Sequence, residues 1–190
     1  MAMPVLISDG ERLATIDPVS RSLQSIDHPH HEIHEGVNYR ASLTASVGSG
    51  NSITLTITTP AAPKQCHMLL EVTTGNSANA VVYEATALTA NTGNAITPRN
   101  ANRNYPDNST ATVVANATVN TTNRTQLVNT FIGQPGANPF QSDLGGQIAS
   151  RHEWVLKPAT SYTVQLTETG ATTQLMHIGM DWYEHSPGEA

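Results

Sequence analysis

Asn51-Ser52-Ile53-Thr54-Leu55-Thr56-Ile57-Thr58-Thr59-Pro60 alternates apolar side chains with threonine, and Ile53, Leu55 and Ile57 fall on one face. Successive side chains of an extended chain point to opposite faces, so this stretch reads as a half-buried β-strand that ends at Pro60. Working outward, the same period of two recurs at Cys66 to Thr73, Ala80 to Leu88, Thr110 to Val119, Thr125 to Ile132, His152 to Lys157, Ser161 to Thr167 and Gln174 to Glu184. Turn-forming clusters separate these segments: Gly48-Ser49-Gly50-Asn51, Thr74-Gly75-Asn76-Ser77 and Pro106-Asp107-Asn108. Lys157-Pro158-Ala159-Thr160-Ser161 has the length of a hairpin connection. No apolar i, i+3, i+4, i+7 pattern lasts three turns, so almost no helix is expected. Short strands with a turn signal every 8–12 residues predict an all-β, antiparallel sandwich or jelly-roll-like domain, with a barrel as the related alternative.

The domain is expected to span residues 29–190, preceded by an extended N-terminal arm over residues 1–28. The arm carries a short strand-like stretch at Arg12-Leu13-Ala14-Thr15-Ile16-Asp17. Gln134 to Ser150 is long and rich in Gly, Pro and Asn. Loops of that length are usually functional or mobile.

Composition removes several classes of function. Only 13% of residues are charged, the net charge is -6 and the pI is near 5.7, and the nine Lys and Arg residues are scattered. No basic stripe exists to follow a phosphate backbone, which argues against a nucleic-acid partner. A single cysteine, Cys66, excludes an internal disulfide framework and a cysteine-based zinc site. No apolar run approaches the roughly 20 residues of a membrane-spanning helix, so no membrane partner is expected. Met1-Ala2-Met3-Pro4-Val5 lacks a basic segment followed by an apolar one, so the chain is expected to stay inside the cell or leave it by lysis.

The chemically richest segment is His28-Pro29-His30-His31-Glu32-Ile33-His34-Glu35-Gly36, which holds half of the eight histidines and directly precedes a long run of strand-like sequence. In a strand, His30, Glu32 and His34 would share one face, and His31, Ile33 and Glu35 the other. A His-x-Glu-x-His ladder offers zinc-type ligands, as in cupin-type barrels, with His67, His152, His177 or His185 to complete the set. Two ligands at i and i+2 are a low-specificity signal, however. The favoured reading is a polar interface strand in which His30, His31 and His34 contact a neighbouring subunit and no metal or other cofactor is bound. Imidazoles titrating near pH 6.5 would make such a contact pH-sensitive.

Other catalytic patterns are weaker. The chain has no Gly-x-Ser-x-Gly and no phosphate-cradling glycine loop. Its many carboxylates lack the aromatic platforms that sugar-cleaving sites use, since aromatics make up 5% of the chain. Trp154, Trp182, Tyr162 and Tyr183 fall in predicted strands, where packing is their expected role. The Asn-x-Ser/Thr triplets at Asn108, Asn116, Asn120 and Asn123 read as by-products of an Asn/Thr-rich stretch. Asn100-Ala101-Asn102-Arg103-Asn104 follows Arg99. Arg99 and Arg103 suit either a solvated turn or charge-assisted bonds to a neighbour's carboxylates.

Several of these motifs occur in the order seen in a family of tailed-bacteriophage virion proteins. They are Thr15-Ile16-Asp17, Ser22-Leu23-Gln24-Ser25-Ile26, His30-His31-Glu32-Ile33-His34-Glu35-Gly36 and Ile57-Thr58-Thr59-Pro60. Val82-Tyr83-Glu84, Pro98-Arg99-Asn100-Ala101-Asn102-Arg103-Asn104, Glu153-Trp154-Val155-Leu156-Lys157-Pro158-Ala159-Thr160-Ser161-Tyr162 and Trp182-Tyr183-Glu184-His185 follow. The chain resembles capsid decoration, or cement, proteins from about residue 12 to 185. The resemblance implies a β-rich homo-oligomer, expected to be a trimer. It would be made in the bacterial cytoplasm, bind the major capsid protein on the exterior of an icosahedral capsid, and have no catalytic residues. Leu13, Ile16, Leu23 and Ile26 would then anchor the arm on the capsid or an adjacent subunit, with Arg99 and Arg103 as further contacts. Two competing readings are a tail- or fibre-associated virion protein that binds a host surface, and a cupin-like metal-dependent enzyme resting on the histidine ladder alone.

Overall fold

Alternation of small hydroxylated and branched apolar residues does produce strands here, and their apolar faces close on each other. The computed structural model describes residues 28–133, 142–143 and 153–186. One helix, α1 (His28–Glu35), precedes β1 (Asn38–Val47), β2 (Ser52–Thr58), β3 (Gln65–Thr74) and β4 (Ala78–Glu84). Short strands follow: β5 (Ala87–Leu88), β6 (Asn94–Ile96), β7 (Arg99–Asn100), β8 (Thr112–Ala115) and β9 (Val119–Asn120). The chain then runs through β10 (Thr125–Ile132), β11 (Ser142–Asp143), β12 (Trp154–Leu156), β13 (Ser161–Glu168) and β14 (Gln174–His185).

Two six-stranded antiparallel sheets form the sandwich. In one, β12 and β11 pair with β3, which is followed by β14, β1 and β7. The other runs β10, β4, β13, β2, β8, β6. The long strands thus order as β1–β14–β3–β12 against β2–β13–β4–β10, and every step along the chain changes sheet except β4 to β10, which pair with each other. That is the double Greek-key wiring of a jelly roll. β5 and β9 form a separate two-stranded ribbon.

The core is built as the alternation predicts. Ile53, Leu55 and Ile57 of β2 are buried, and they join Val164, Leu166, Val72, Ile178, Met180 and Trp182 in one apolar cluster that draws on both sheets. Each such side chain contributes about 1.5–3 kcal/mol by leaving water. On the opposite face of β2 the hydroxyls pair across to β13: Ser52 with Thr167 at 2.8 Å, Thr56 with Thr163 at 2.7 Å and Thr58 with Ser161 at 2.7 Å.

Several expectations need correction. His28–Glu35 is helical, so the strand ladder of His30, Glu32 and His34 does not form. Pro29 in the first turn supplies a helix-ready φ, and Gly36 at φ 75° ends the helix, with Gly36 N donating to Ile33 O and Val37 N to Glu32 O. The segment from Lys157 to Ser161 is not a hairpin, because β12 and β13 lie in different sheets. The clusters at 48–51 and 74–77 do form turns between strands, as read, and both turns cross between sheets. The arm anchors Leu13, Ile16, Leu23 and Ile26 lie outside the described residues, as does most of the segment from Gln134 to Ser150. Among the described residues no helix is long and apolar enough to cross a membrane.

Glu184 ties the sheets together at one end. Its side chain points inward from β14 and is 3% exposed. The carboxylate accepts from Ser109 Oγ (2.6 Å), Thr110 N (3.0 Å), Thr110 Oγ1 (2.5 Å), Ala111 N (3.1 Å) and Trp182 Nε1 (3.1 Å), with Lys64 Nζ at 3.7 Å. Burial pushes the carboxyl up, but these hydrogen bonds outweigh it and hold the group below its usual range. A folded-state value below the unfolded one stabilises the fold above the unfolded pKa of about 4.3 and is lost as pH falls through the folded value. Glu184→Gln places an amide NH2 against N–H donors and should lower the unfolding free energy at pH 7 by roughly 2–3 kcal/mol. In urea titrations this deficit should shrink in acid, where the native carboxyl is itself protonated.

Candidate functional site

On β14 the period of two places Tyr183 and His185 on the outer face, opposite the buried Trp182 and Glu184. Cross-strand pairing sets Tyr183 against His67 of β3, and β12 brings Val155 against His67 from the other side. A polar cluster results. His67 Nδ1 lies 2.5 Å from Glu153 Oε1 and 3.1 Å from the Tyr183 hydroxyl, which also donates a short hydrogen bond to Glu153 Oε1. His67 Nε2 and His185 Nε2 are 2.9 Å apart, so one ring supplies the N–H and the other accepts it. The His67 and Tyr183 rings stack at 4.7 Å. Burial, then the bond to Glu153, raises the Tyr183 phenol well above its ordinary value, and nearby Glu32 adds to the effect. Tyr183 therefore remains a hydrogen-bond donor across the physiological range.

The helix that replaced the expected strand gathers different groups. Glu32 is buried, at 3% exposure, while His34 and Glu35 face solvent. His31 Nδ1 lies 3.8 Å from Glu32 and His31 Nε2 lies 3.4 Å from Glu35. These three ligand atoms fall within 4.8 Å of one another, a combination that the ladder of His30, Glu32 and His34 did not anticipate. His67 and His185 do meet, but on the outside of the sandwich, away from the apolar interior where a cupin-type ion would sit. His177 instead bonds Thr44 at 2.7 Å farther along the outer face. His152 lies outside the described residues.

The second unusual segment packs against the first. Asn100 is 1% exposed, and its Nδ2 donates to Gly36 O at 2.7 Å. Ala101 N donates to Asn38 O, and Asn102 Nδ2 to His34 O at 3.4 Å. Asn100 Oδ1 and Asn102 Oδ1 each accept the backbone N–H two residues on, which explains the spacing of Asn100, Asn102 and Asn104. Arg99 and Arg103 both donate to Asp107, at 2.7 and 2.8 Å, and Asn100 N adds a bond at 2.7 Å. The Arg99 guanidinium, Asn100 N and Arg103 hold the Asp107 carboxyl far below the usual carboxylate range. Both arginines stay exposed and each retains unused donors, while the trio carries one net positive charge.

All these groups sit at one pole of the jelly roll. Glu84 joins them there, accepting from Lys157 Nζ at 2.7 Å and from the Tyr162 hydroxyl at 2.9 Å. Burial, together with the bond to Glu84, pushes the Tyr162 phenol up to about 12. Glu153, Tyr183, Asn100 and Asp107 were not singled out as site residues from the sequence. Strand parity in β14 and the repeating asparagines were the signals that would have found them. Comparison of the chain with known protein families, with curated proteins and with solved structures finds no match.

Gly36 joins the two segments. A Cβ built there would fall 2.4 Å from ring atoms of Tyr105, and its φ of 75° disfavours any L side chain. Gly36→Ala should lower the unfolding free energy by about 2 kcal/mol in chemical denaturation. Adding Tyr105→Ala should recover only the steric part, leaving the backbone part in place.

Proposed function

We propose that this protein is a structural virion component that decorates the outside of a phage capsid by binding the major capsid protein, as a homo-oligomer expected to be a trimer. The observation that carries the reading is spatial. Segments that bear the resemblance and lie far apart in sequence meet at one pole: α1, the end of β2 at Ile57 and Thr58, Tyr83 and Glu84 of β4, Arg99 to Asn104, Trp154 to Tyr162, and Trp182 to His185. Their polar side chains are interlocked by hydrogen bonds, so the pole presents a preorganised surface rather than a mobile one.

The chemistry of that surface suits docking. It combines exposed guanidiniums, imidazoles and carboxylates with an exposed Val155, a mixed surface of the kind that oligomer rims and protein interfaces use. Decoration of an icosahedral lattice repeats moderate contacts by symmetry, and avidity then gives the hold that no single contact supplies. An N-terminal segment of 27 residues can reach at most about 90–100 Å, enough to extend to an adjacent subunit and add main-chain hydrogen bonds there. The cupin-like enzyme reading loses its main support because its ladder residues lie on a helix.

Co-sedimentation of the purified chain with mature, undecorated capsids tests the proposal. Saturable binding at a fixed ratio to the major capsid protein is expected. A chain truncated to begin at residue 29 should bind at least tenfold more weakly. Recovery of the protein on tails, or on no particle, would overturn the reading. Normal capsid binding by the truncated chain would remove the arm's role.

A further inference from the structure

His67 and His185 stand on neighbouring strands of one sheet, diagonal to each other. β14 pairs Tyr183 with His67 and His185 with Gln65, so His67 and His185 lie two places apart in the register and on the same outer face. Tyr183 holds both rings in place, stacking on His67 at 4.7 Å and on His185 at 5.8 Å. The two imidazole centroids are 4.7 Å apart, whereas their Nε2 atoms are 2.9 Å apart. The rings therefore lead with those nitrogens instead of stacking on each other.

The placement of protons leaves this pair incomplete. Glu153 Oε1 lies 2.5 Å from His67 Nδ1 and accepts the hydroxyl proton of Tyr183, whose oxygen is 3.1 Å from the same nitrogen. With the phenol proton engaged and the carboxylate only accepting, the contact requires a proton on His67 Nδ1. At His185, Nδ1 faces the Ser186 carbonyl oxygen at 3.3 Å, and a carbonyl oxygen only accepts, so this Nδ1 is protonated too. A neutral imidazole has one ring proton, and both are now placed. Two bare Nε2 lone pairs remain, facing each other at 2.9 Å. A hydrogen bond between them requires a third proton, which makes one ring an imidazolium. A metal ion is the other cation that satisfies both nitrogens.

We propose that His67 and His185 bind one divalent transition-metal ion of the copper and nickel class through Nε2. Imidazole nitrogen suits these ions, and copper(II) heads their affinity order. Two ligands about 2.0–2.1 Å from one ion and at a right angle about it lie about 2.9 Å apart, against about 3.4 Å for a tetrahedral ion. The observed 2.9 Å thus fits the tetragonal preference of copper(II) and nickel(II) better than zinc. A metal-bound histidine characteristically donates its other ring N–H to a carboxylate, as His67 does to Glu153. The His67 and Glu153 side chains keep 17% and 30% of their surface exposed, so water reaches the cluster to complete the shell. Such a site would stand whether or not the chain docks on a capsid.

The test is isothermal titration of the metal-stripped full chain with CuCl2 at about pH 7.5, where the ligand nitrogens are free of the third proton. His28, His30, His31 and His34 are competing imidazoles, so all four are replaced by alanine in the background chain. Binding of one ion per chain is expected, with NiCl2 binding the same site more weakly. His185→Ala should weaken copper binding at least tenfold. Glu153→Gln keeps both nitrogens and should weaken it about tenfold. His177→Ala, farther along the same face, should bind as the background does. His185→Ala and Glu153→Gln decide the matter even if His67→Ala fails to fold. Absence of copper binding in the background chain overturns the proposal and leaves a proton shared between the rings. Binding undiminished in His185→Ala overturns it as well.

Discussion

The carboxylate of Glu184 is the constraint around which one end of this jelly roll is organised. A jelly roll has no covalent link between its sheets other than its crossing turns, so its open ends need a tie. Glu184 supplies one from inside. It projects inward from the central strand β14 and accepts from the backbone and hydroxyls of residues 109–111, which lead into β8 of the opposite sheet. Its bond from the Trp182 indole also orients the largest fully buried side chain of the core. Because the inward residue is spent on this tie, Tyr183 and His185 are forced outward. The outer polar cluster is thus a consequence of the inner one.

The two poles have become different kinds of surface. At the Glu184 end, long connections carry α1, the Arg99–Asp107 turn and the approach to β12, and their side chains bind one another across large separations in sequence. At the far end the turns 48–51, 74–77 and 169–173 are short and cross directly from sheet to sheet, held by main-chain bonds and a few buried polar groups. Among the described residues the ion pairs therefore gather at the first pole, while these turns close the sandwich at the second.

Much of the fold was legible because the core strands obey a period of two with little interference. Ile53, Leu55 and Ile57 are inward as read, and Thr125–Ile132 is a strand over the span its pattern suggests. Sheet membership was not legible. Lys157 to Ser161 has hairpin length, yet length alone does not reveal whether a turn joins neighbours or crosses the sandwich. The helix at His28–Glu35 was hidden because its eight residues, with Ile33 and Pro29 as the only non-polar ones, carry no apolar period in either form. Pro29 at its start and Gly36 just past its end were the available signs. The site was half legible: the histidine-rich and asparagine-rich segments stood out separately. Their contact through Asn100 and Gly36 depends on long-range pairing of β1 with β7, which no local pattern encodes. Asn116 and Asn123, noted for their triplets, take positive φ values, and Asn116 Oδ1 accepts from Thr54 N, so both serve turn geometry.

The wiring of the central sheet also governs when the molecule can exist during its own synthesis. β14, the last strand of the described residues, lies between β1 and β3 and pairs with both along nearly their whole lengths, from Val47 with Gln174 to Asn38 with Tyr183 in the case of β1. Until the ribosome reaches that segment, the first and third strands have no central partner and their facing edges stay unpaired. At typical elongation rates β1 waits on the order of ten seconds for it. Closure of the sheet must therefore wait for β14, and a chain interrupted before residue 174 would expose two long sticky edges instead of a smaller version of the same fold.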